Sequence, residues 1–576
     1  LHQLVRVNTG AWITNAIPIP KMPATNHTVQ LDWDLLKLNA KPGDTVLTKL
    51  VAIDHAGNRA ETRAVKLTLD SALFEAARVA ALNDQRSWVA VVNAAADATK
   101  EFTEIFPNDI DAMVLPGSDV ERRAKAAKAV TALASAQSTW ALVGRRIPTA
   151  LRKVHAGREA AGLTLLGRVA GRLELDWLPR AKLQLDPLQT APVVDPKVKA
   201  HSTGLADLLK NIEAANNRVR RAANAWLAAD EAAAALDLLD YVSRAADAMH
   251  RLAENENDPK AWERLARRQA SVTKEIEVAE AVLGELAKRL TGEAGKVTAL
   301  QAELKTARES LVEKLGAPPD STLLPAGRAL GQTVLQAANT LRPLAETLGK
   351  QAAVARAQLE KSNNGAAGAI RQVRAAVLKS KQTASDLKKA KQDNKPPLTL
   401  AANDAFAKAR LEHEWKAATA RLRYRARLEE ARRESTPAFV SDTSRAAAAL
   451  GAVRAGLDAG RAADAVSNQL NTLADAMHTL EVAHQLALIE AAIKALSHRE
   501  RWEMKATDAN SLRPRDWQWL RQQLSATPQH LRDAGLEGAA ELEVAARGGV
   551  ANAIGEEMKG RTKNPGVFLI EKSPKE

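Results

Sequence analysis

The sequence changes its pattern abruptly at Asp70. Before that residue, short runs of alternating apolar and polar side chains are separated by Gly, Pro and Asn, which is typical of β-strands joined by turns. From Ser71 onward the chain is rich in alanine and repeats its apolar residues at helical spacing. The change predicts a mainly α protein, in which a small N-terminal β module leads into elongated helical bundles or coiled-coil hairpins.

The composition predicts thin cores. Aromatic residues make up only 3% of the chain. Alanine favours helices and lets them approach closely, but it buries little area per residue. A chain of 576 residues also exceeds what one core holds, so we expect several structural units. These features favour helical bundles over an α/β enzyme.

Two further features bear on where the protein works. No stretch of 18 or more apolar residues without charge predicts a transmembrane helix. The chain contains no cysteine, which excludes disulfides, thiolate metal sites and cysteine nucleophiles. A cysteine-free chain fits a bacterial envelope protein or a reducing cytoplasm. We favour the periplasm or cell surface and keep the cytoplasm as the alternative.

The first 70 residues predict five short strands with turns between them. The turns are marked by Asn8-Thr9-Gly10, by Pro42-Gly43-Asp44 and by Asp54-His55-Ala56-Gly57-Asn58. Gly57 and Asn58 are residue types that tolerate the positive φ such a turn needs. The predicted strands lie at Leu4–Val7, Trp12–Ile13, Val29–Trp33, Thr45–Ile53 and Val65–Leu69.

This segment resembles a bacterial immunoglobulin-like or fibronectin-III-like sandwich domain. The likeness is carried by Asn8-Thr9-Gly10-Ala11-Trp12, by Lys41-Pro42-Gly43-Asp44 and by the hairpin from Ala52 to Glu61. The resemblance implies an adhesive or spacer module. A sandwich of this family has about seven strands or more, so residues 1–70 are expected to be part of a domain whose other strands precede Leu1.

Pro- and Gly-rich breaks divide the helical part. Leu205, Leu208, Ile212, Val219 and Trp226 keep the spacing of packed helices and predict the longest helix, from about residue 204 to 257. The expected divisions are 1–70 (partial immunoglobulin-like sandwich), 71–185 (helical), 186–203 (linker), 204–317 (long helical hairpin or coiled coil), 318–435 (helical, with a basic segment at 368–434), 436–562 (helical) and 563–576 (tail).

A short motif recurs in the helical part. Ala246–His250 and Ala474–His478 share the sequence Ala-Asp-Ala-Met-His, and a Pro-x-x-Trp-x-x-Leu pattern follows each copy. The distance from Met to Trp is 13 residues in one copy and 40 in the other. We therefore favour convergent alanine-rich helix patterns, and internal duplication remains the alternative.

The basic segment 368–434 holds 17 Lys or Arg against 8 Asp or Glu. The simpler interpretation is a solvated helix face; the alternative is a surface that binds an anionic polymer, an anionic lipid surface or an acidic glycan. Trp415 and Tyr424 lie inside it, where they would stack on bases or sugars or fill the core. The candidate anion-binding residues are Arg371, Arg374, Lys379, Lys381, Lys388, Lys389, Lys391, Arg421, Arg423, Arg425, Arg427, Arg432 and Arg433.

The sequence gives little sign of catalysis. It contains no Walker A motif, no G-x-G-x-x-G after a strand, no G-x-S-x-G and no H-E-x-x-H. We interpret Glu412-His413-Glu414 and the pair Glu429-Glu430 as solvated surface, and expect no catalytic residue, cofactor or metal. The isolated tryptophans are expected to fill the core.

The leading hypothesis is thus a non-enzymatic structural or interaction protein: a scaffold, stalk or oligomerisation surface that binds protein partners or itself through helical surfaces. Its composition resembles the coiled-coil regions of large bacterial cell-envelope proteins. The second hypothesis is an anion-binding module that acts through segment 368–434. The third is a helical enzyme or sensor with a site built between helices.

Overall fold

The protein is mainly α with a small N-terminal antiparallel sheet. The computed structural model describes residues 2–17, 45–53, 57–68, 73–106, 119–154, 158–190, 196–254, 260–290, 292–317, 322–362, 365–393, 397–432 and 435–502. The chain divides into two compact units, which are described separately. Unit 1 comprises Leu1–Asn83 and Trp226–Lys350, and unit 2 comprises Asp84–Ala225 and Gln351–Glu576.

The described strands of unit 1 form one antiparallel sheet. They are β1 (His2–Val7), β2 (Ile13–Ala16), β3 (Thr45–Ile53), β4 (Arg59–Glu61) and β5 (Val65–Thr68). β1 pairs with β2 and β3, and β3 also pairs with β4 and β5. Val5, Val46 and Val51 are buried in this sheet. Gly57 has a φ of 86°, which confirms the expected turn conformation.

The immunoglobulin-like resemblance stays a prediction. The predicted strand Val29–Trp33 lies outside the described residues, and the five strands that are described belong to a single sheet. A sandwich requires a second sheet packed on the first.

The helices of unit 1 include a hairpin of α6 (Lys260–Arg289) and α7 (Ala294–Leu315). Val297, Leu300, Leu304 and Leu311 are buried, as their spacing predicts. The guanidinium of Arg308 donates to both carboxylate oxygens of Glu280, at 2.7 and 3.1 Å, and joins the two helices. The unit boundaries fall within α1 (Leu73–Glu104), α5 (Pro196–Glu254) and α8 (Leu323–Ser362).

Unit 2 contains two groups of packed helices. The first consists of α2 (Asp119–Lys153), α3 (Arg158–Arg172), a π-helical turn (Leu173–Trp177) and α4 (Leu178–Thr190). The second consists of α9 (Gly365–Gln392), α10 (Pro397–Ala431), α11 (Pro437–Asp458) and α12 (Ala463–Trp502), and α10 also packs against the first group. The core of the second group includes Ile370, Val373, Leu422, Leu450 and Leu470.

Several helix tryptophans fill the cores, as predicted, while Trp262 is half-buried. Trp140 is fully buried, and its indole Nε1 donates to Thr99 Oγ1 at 2.8 Å. Trp88 and Trp226 are also buried. Trp415 and Tyr424 are 4% and 7% exposed, so neither ring is available to stack on a base or sugar. The core interpretation is therefore the correct one for both rings.

Two stretches differ from the sequence prediction. The expected linker 186–203 is helical at both ends: residues 186–190 complete α4 and residues 196–203 begin α5. Pro196 occupies the first position of α5, where its missing N–H leaves no helical hydrogen bond unmade. Buried Leu188 and Val198 anchor the two helix ends.

The expected last long helix is interrupted between α11 and α12. Gly460 adopts a φ of 81°, and the Arg461 N–H donates to the Gly456 carbonyl at 3.0 Å. This is the left-handed glycine termination common at helix ends, and it separates α11 from α12. The second copy of the Pro-x-x-Trp motif, Pro514 to Leu520, lies outside the described residues, as do the segments 503–562 and 563–576.

Among the helices that the structure describes, none combines the length and apolarity that a membrane crossing requires.

Candidate functional site

The most unusual feature of unit 2 is a group of charged side chains inside the protein. It is centred on two fully buried carboxylates, Asp176 and Glu429. Asp176 lies on the π-helical turn Leu173–Trp177, in which the Leu178 N–H donates to the Leu173 carbonyl. Pro179 has no N–H to donate to the carbonyl of Leu175, which accounts for the wider turn at this point.

Asp176 accepts hydrogen bonds from several helices. Arg180 Nη2 donates to Oδ1 at 2.8 Å, and Arg421 Nη1 donates to Oδ2 at 3.2 Å. Gln372 Nε2 and His413 Nε2 each lie 3.4 Å from a carboxylate oxygen. The single carboxylate therefore joins the π-helical turn to α4, α9 and α10.

The surrounding charges set the protonation state of Asp176. Burial alone raises the pKa of Asp176, but the hydrogen bond from His413 and the charges of Arg180 and Arg421 outweigh it and hold the pKa well below its usual range. Burial raises the pKa of Glu414, whose Oε1 lies 2.8 Å from Arg180 Nη2. Burial, together with the charge of Arg421, lowers the pKa of Arg172 to about 10. Asp176 is ionised at neutral pH and fully engaged as an acceptor, so it acts as a brace rather than as a base.

Glu429 forms the second centre. Arg168 Nη2 donates to its Oε1 at 2.5 Å, while His484 Nε2 and Arg432 Nη1 lie 3.2 and 3.4 Å from its Oε2. Burial raises the pKa of Glu429, but the charge of Arg168 and the hydrogen bond from His484 more than offset this and lower it overall. Glu429 thus joins α10 to α3 and α12.

The hydrogen-bond series extends from Glu429 through His484 to a hydroxyl. His484 Nδ1 lies 3.3 Å from Thr436 Oγ1, and the ring stacks on Phe439 with centroids 4.1 Å apart. The order hydroxyl, imidazole, carboxylate is the one used to activate nucleophiles. Here two arginines also neutralise Glu429, so the arrangement favours a structural role.

Arg425 on α10 pairs with Glu481 on α12, and Glu481 also reaches the start of α9. Its guanidinium is buried, pairs with Glu481 and lies 5.4 Å above the Phe439 ring. Glu481 Oε1 also accepts the backbone N–H of Ala366 at 2.6 Å, in the first turn of α9. A carboxylate at that position compensates the positive end of the helix dipole.

The surface interpretation of three acidic or histidine residues is wrong. Glu414 and Glu429 are 3% and 0% exposed, and the side chain of His413 is 11% exposed. Each is paired with a buried group of opposite charge or with a hydrogen-bonding partner. Glu412 and Glu430 keep more exposed positions, since the neighbouring residues of a helix point in different directions.

The structure places the candidate anion-binding residues in different environments. Arg421, Arg425 and Arg432 lie inside the ion network, and Arg374 donates to Ser467 Oγ at 3.0 Å. Arg371 and Lys381 pair with Asp475 and Asp464 on α12. The side chain of Lys391 and all of Arg433 lie outside what the structure describes. The remaining candidates are exposed, and they are Lys379, Lys388, Lys389, Arg423 and Arg427.

Across the described ranges, no group of three or more His, Asp or Glu side chains is placed to hold a metal ion.

Glu174, beside the Asp176 centre on the same π-helical turn, provides a pH prediction. Burial raises the pKa of Glu174 from 4.5 to about 7, against the opposing charges of Arg145 and Arg427. As pH rises, the Glu174 carboxyl group loses its proton in the unfolded chain before it does so in the folded protein. The free energy of unfolding of the wild type therefore falls between about pH 4.5 and pH 7. We expect Glu174→Gln to match wild type near pH 4 and to be more stable by about 2 kcal/mol near pH 8. Urea unfolding at both pH values measures the difference. A difference that does not change with pH would contradict the assignment.

The chain was also compared with known proteins. No protein-family model matches it, and neither the curated proteins nor the solved structures contain a significant match.

Proposed function

We propose that this protein is a non-enzymatic structural or interaction protein whose exposed basic helix end binds an anionic polymer. The observation that carries the proposal is the C-terminal part of α9. From Leu378 to Asp393, none of the side chains that the structure describes is buried. The lysines of this helix end therefore lie at the surface, where they are available to a partner.

The exposed end of α9 is predominantly basic. Lys379, Lys381, Lys388 and Lys389 are all exposed, against Asp386 and Asp393. Lys381 and Lys388 are seven residues apart, which places them on the same face about two turns from one another. Lysines clustered at an exposed helix end attract the phosphates or carboxylates of a polymer.

The same helix end favours a polymer over a lipid surface. A helix that lies in a membrane interface needs a broad apolar face. Between residues 378 and 393 the large apolar side chains are Leu378 and Leu387, both half-buried within the protein. Electrostatic attraction is therefore the main source of affinity.

The internal ion network supports the structural part of the proposal. Asp176 and Glu429 join residues from α3, α4, α9, α10 and α12 of unit 2. Buried pairs of this kind specify one arrangement of helices more than they add stability. A fixed arrangement suits a platform that presents the end of α9.

The test replaces three exposed lysines of α9. We expect Lys379→Gln/Lys388→Gln/Lys389→Gln to weaken binding of the full chain to single- or double-stranded nucleic acid. The slope of log affinity against log salt concentration should fall by about 2 to 3, since each lost phosphate contact removes about 0.7 to 0.9. Fluorescence anisotropy over a salt series measures both quantities. Heparin and anionic vesicles, run in parallel, distinguish an acidic glycan and a lipid surface from nucleic acid.

The matched control is Lys128→Gln/Lys210→Gln/Lys350→Gln, which removes the same charge from exposed lysines on α2, α5 and α8. We expect this variant to bind like wild type. Equal loss in both triple variants would show attraction by net charge alone, and no salt-dependent binding to any of the polymers would overturn the polymer proposal.

A further inference from the structure

Three exposed arginines of unit 2 lie where α2 packs against α10. They are Arg145 on α2, and Arg423 and Arg427 on α10. Arg423 and Arg427 are four residues apart and so share a helix face. Arg145 and Arg427 both act on the carboxyl group of Glu174, which places them near each other. The two helices therefore bring these three guanidinium groups to one surface, which we call the arginine surface.

The arginine surface has little acidic charge to neutralise it. Within the described part of the chain, none of its three arginines forms an ion pair, and Arg145 Nε donates to the backbone carbonyl of Ala141 at 3.3 Å. Arg146, the next residue of α2, is exposed as well, while Glu430 supplies one exposed carboxylate on α10. The surface thus carries net positive charge and presents guanidinium groups that are free to bind an anion.

Glu174 lies beside the arginine surface, on the π-helical turn Leu173–Trp177. A side chain at position 144 would overlap Glu174 Oε2, so the carboxyl group lies directly against Gly144, the residue before Arg145. Burial raises the pKa of Glu174 to about 7. Near neutral pH, the carboxyl group therefore gains or loses a proton next to the arginines.

The arginines are the charged groups that face Glu174 from the neighbouring helices. Arg145 acts on it from α2 and Arg427 from α10, and both lower its pKa against the effect of burial. The Tyr424 hydroxyl of α10 also lies near Glu174, but burial raises the pKa of Tyr424 well above its usual value, so this group stays neutral. The arginines of α3 and α4 that lie near the turn pair with Asp176 instead. Ionised Glu174 therefore offsets one positive charge of the arginine surface, and neutral Glu174 does not.

We infer that the arginine surface binds the phosphate backbone of a nucleic acid, and that Glu174 makes this binding depend on pH. Guanidinium groups match the geometry of phosphate oxygens and form charge-assisted hydrogen bonds with them. A duplex carries about one negative charge per 1.7 Å of its length, so several phosphates face a surface formed by two adjacent helices. Tyr424, which lies between Arg423 and Arg427 in sequence, is 7% exposed, so its ring does not stack on a base or sugar. The contacts are therefore to phosphates and independent of base sequence.

The binding strengthens as pH falls. Below about pH 7 Glu174 is neutral and the arginine surface keeps its full positive charge, whereas above that pH the carboxylate repels the phosphates. One unit charge about 4 Å from another in water changes the affinity by about fivefold. By linkage, a bound phosphate opposes ionisation of Glu174 to the same extent.

The arginine surface is separate from the exposed end of α9. The first residues of α9, Gly365 and Ala366, lie beside Tyr424 and Arg425 of α10, in the wall of one small cavity. Residues 379–389 lie about 20 to 35 Å further along α9, at about 1.5 Å per residue. The inference therefore does not depend on the polymer proposal for α9, and either can fail without the other.

The first experiment measures binding of the full chain to a labelled DNA duplex of about 20 base pairs by fluorescence anisotropy over a salt series. We expect Arg145→Gln/Arg423→Gln/Arg427→Gln to weaken binding by about tenfold or more at low salt. The slope of log affinity against log salt concentration should fall by about 2 to 3, since each lost phosphate contact removes about 0.9. Circular dichroism checks that the variant keeps its helices.

The matched control is Arg123→Gln/Arg221→Gln/Arg267→Gln, which removes the same charge from exposed arginines on α2, α5 and α6. We expect this variant to bind like wild type. Equal affinity of the two triple arginine variants, or no binding of the duplex at low salt, would overturn the arginine surface as a binding site. Heparin is run in parallel. A variant of the arginine surface that loses heparin binding but keeps duplex binding would assign an acidic glycan in place of a nucleic acid.

The second experiment tests the role of Glu174. We expect Glu174→Gln to bind the duplex about fivefold more tightly than wild type near pH 8, and equally near pH 5.5. Histidines also gain charge over this range, but they do so in both proteins, so the ratio of the two affinities isolates Glu174. The triple lysine variant of α9 should keep the pH dependence whether or not it loses affinity. Equal affinity of Glu174→Gln and wild type near pH 8 would show that Glu174 does not control the surface.

Discussion

Replacing Asp176 by alanine is expected to lower the free energy of unfolding of unit 2 by about 3–5 kcal/mol. The substitution leaves the guanidiniums of Arg180 and Arg421 without the carboxylate between them, inside the protein. It also removes the acceptor shared by Gln372 and His413. Urea unfolding followed by circular dichroism measures the change, with hydrogen exchange of α3, α4 and α10 reporting the local loss.

The control for this variant is Asp475→Ala. Asp475 is 66% exposed and pairs with exposed Arg371, so we expect a change within about 0.5 kcal/mol. The pKa of Asp176 is lowered in the folded protein, so its contribution is present at neutral pH and is lost as pH falls below the unfolded value. A loss smaller than about 1 kcal/mol for Asp176→Ala would show that the centre does not brace the helices.

The boundaries of most elements follow from local sequence. Pro and Gly breaks near residues 107, 316, 363, 394 and 435 separate the observed helices, and the mainly α class is confirmed. These signals are readable because a missing N–H or a left-handed glycine acts within one turn of the chain. The predicted linker 186–203 is wrong at its C-terminal end because Pro196 begins α5, and a proline either ends a helix or begins one.

The ion network is not readable in the same way. Asp176 and Arg421 are 245 residues apart in sequence, and Arg168 and Glu429 are 261 apart. No local pattern states which carboxylate meets which arginine. The sequence shows the excess of basic residues in segment 368–434. The net charge of the segment, however, combines arginines of the buried ion network with lysines and arginines on the exposed surface.

The positions of the charged residues around the axis of α10 distinguish the buried ones from the exposed ones. Arg421, Arg425 and Glu429 recur every four residues and so share a face, and they are buried or half-buried. Arg423 and Arg427 also share a face, on the other side, and both are exposed. Charged residues that share a helix face with buried Leu422 or Leu428 are candidates for an internal network. This signal was available in the sequence.

The adjacent residues Glu429 and Glu430 test this distinction directly. Glu429→Ala is expected to lower the free energy of unfolding by about 3–5 kcal/mol, because Arg168 and Arg432 lose their carboxylate inside the protein. Glu430→Ala removes the same side chain one position along α10, where it is exposed, and should change stability by no more than about 0.5 kcal/mol.

The size of the Glu429 effect depends on the whole set of its partners. His484 also loses its acceptor, while its ring keeps the stacking contact with Phe439. The double variant Glu429→Ala/His484→Ala should therefore cost less than the sum of the two single variants, since the residues act through one contact. Urea unfolding of the four proteins gives the coupling energy. Strictly additive losses in the four proteins would contradict a buried centre at Glu429, because a solvated carboxylate shares no partners with His484. Equal losses for Glu429→Ala and Glu430→Ala would contradict it as well, because removal of a solvated carboxylate leaves no buried charge unpaired.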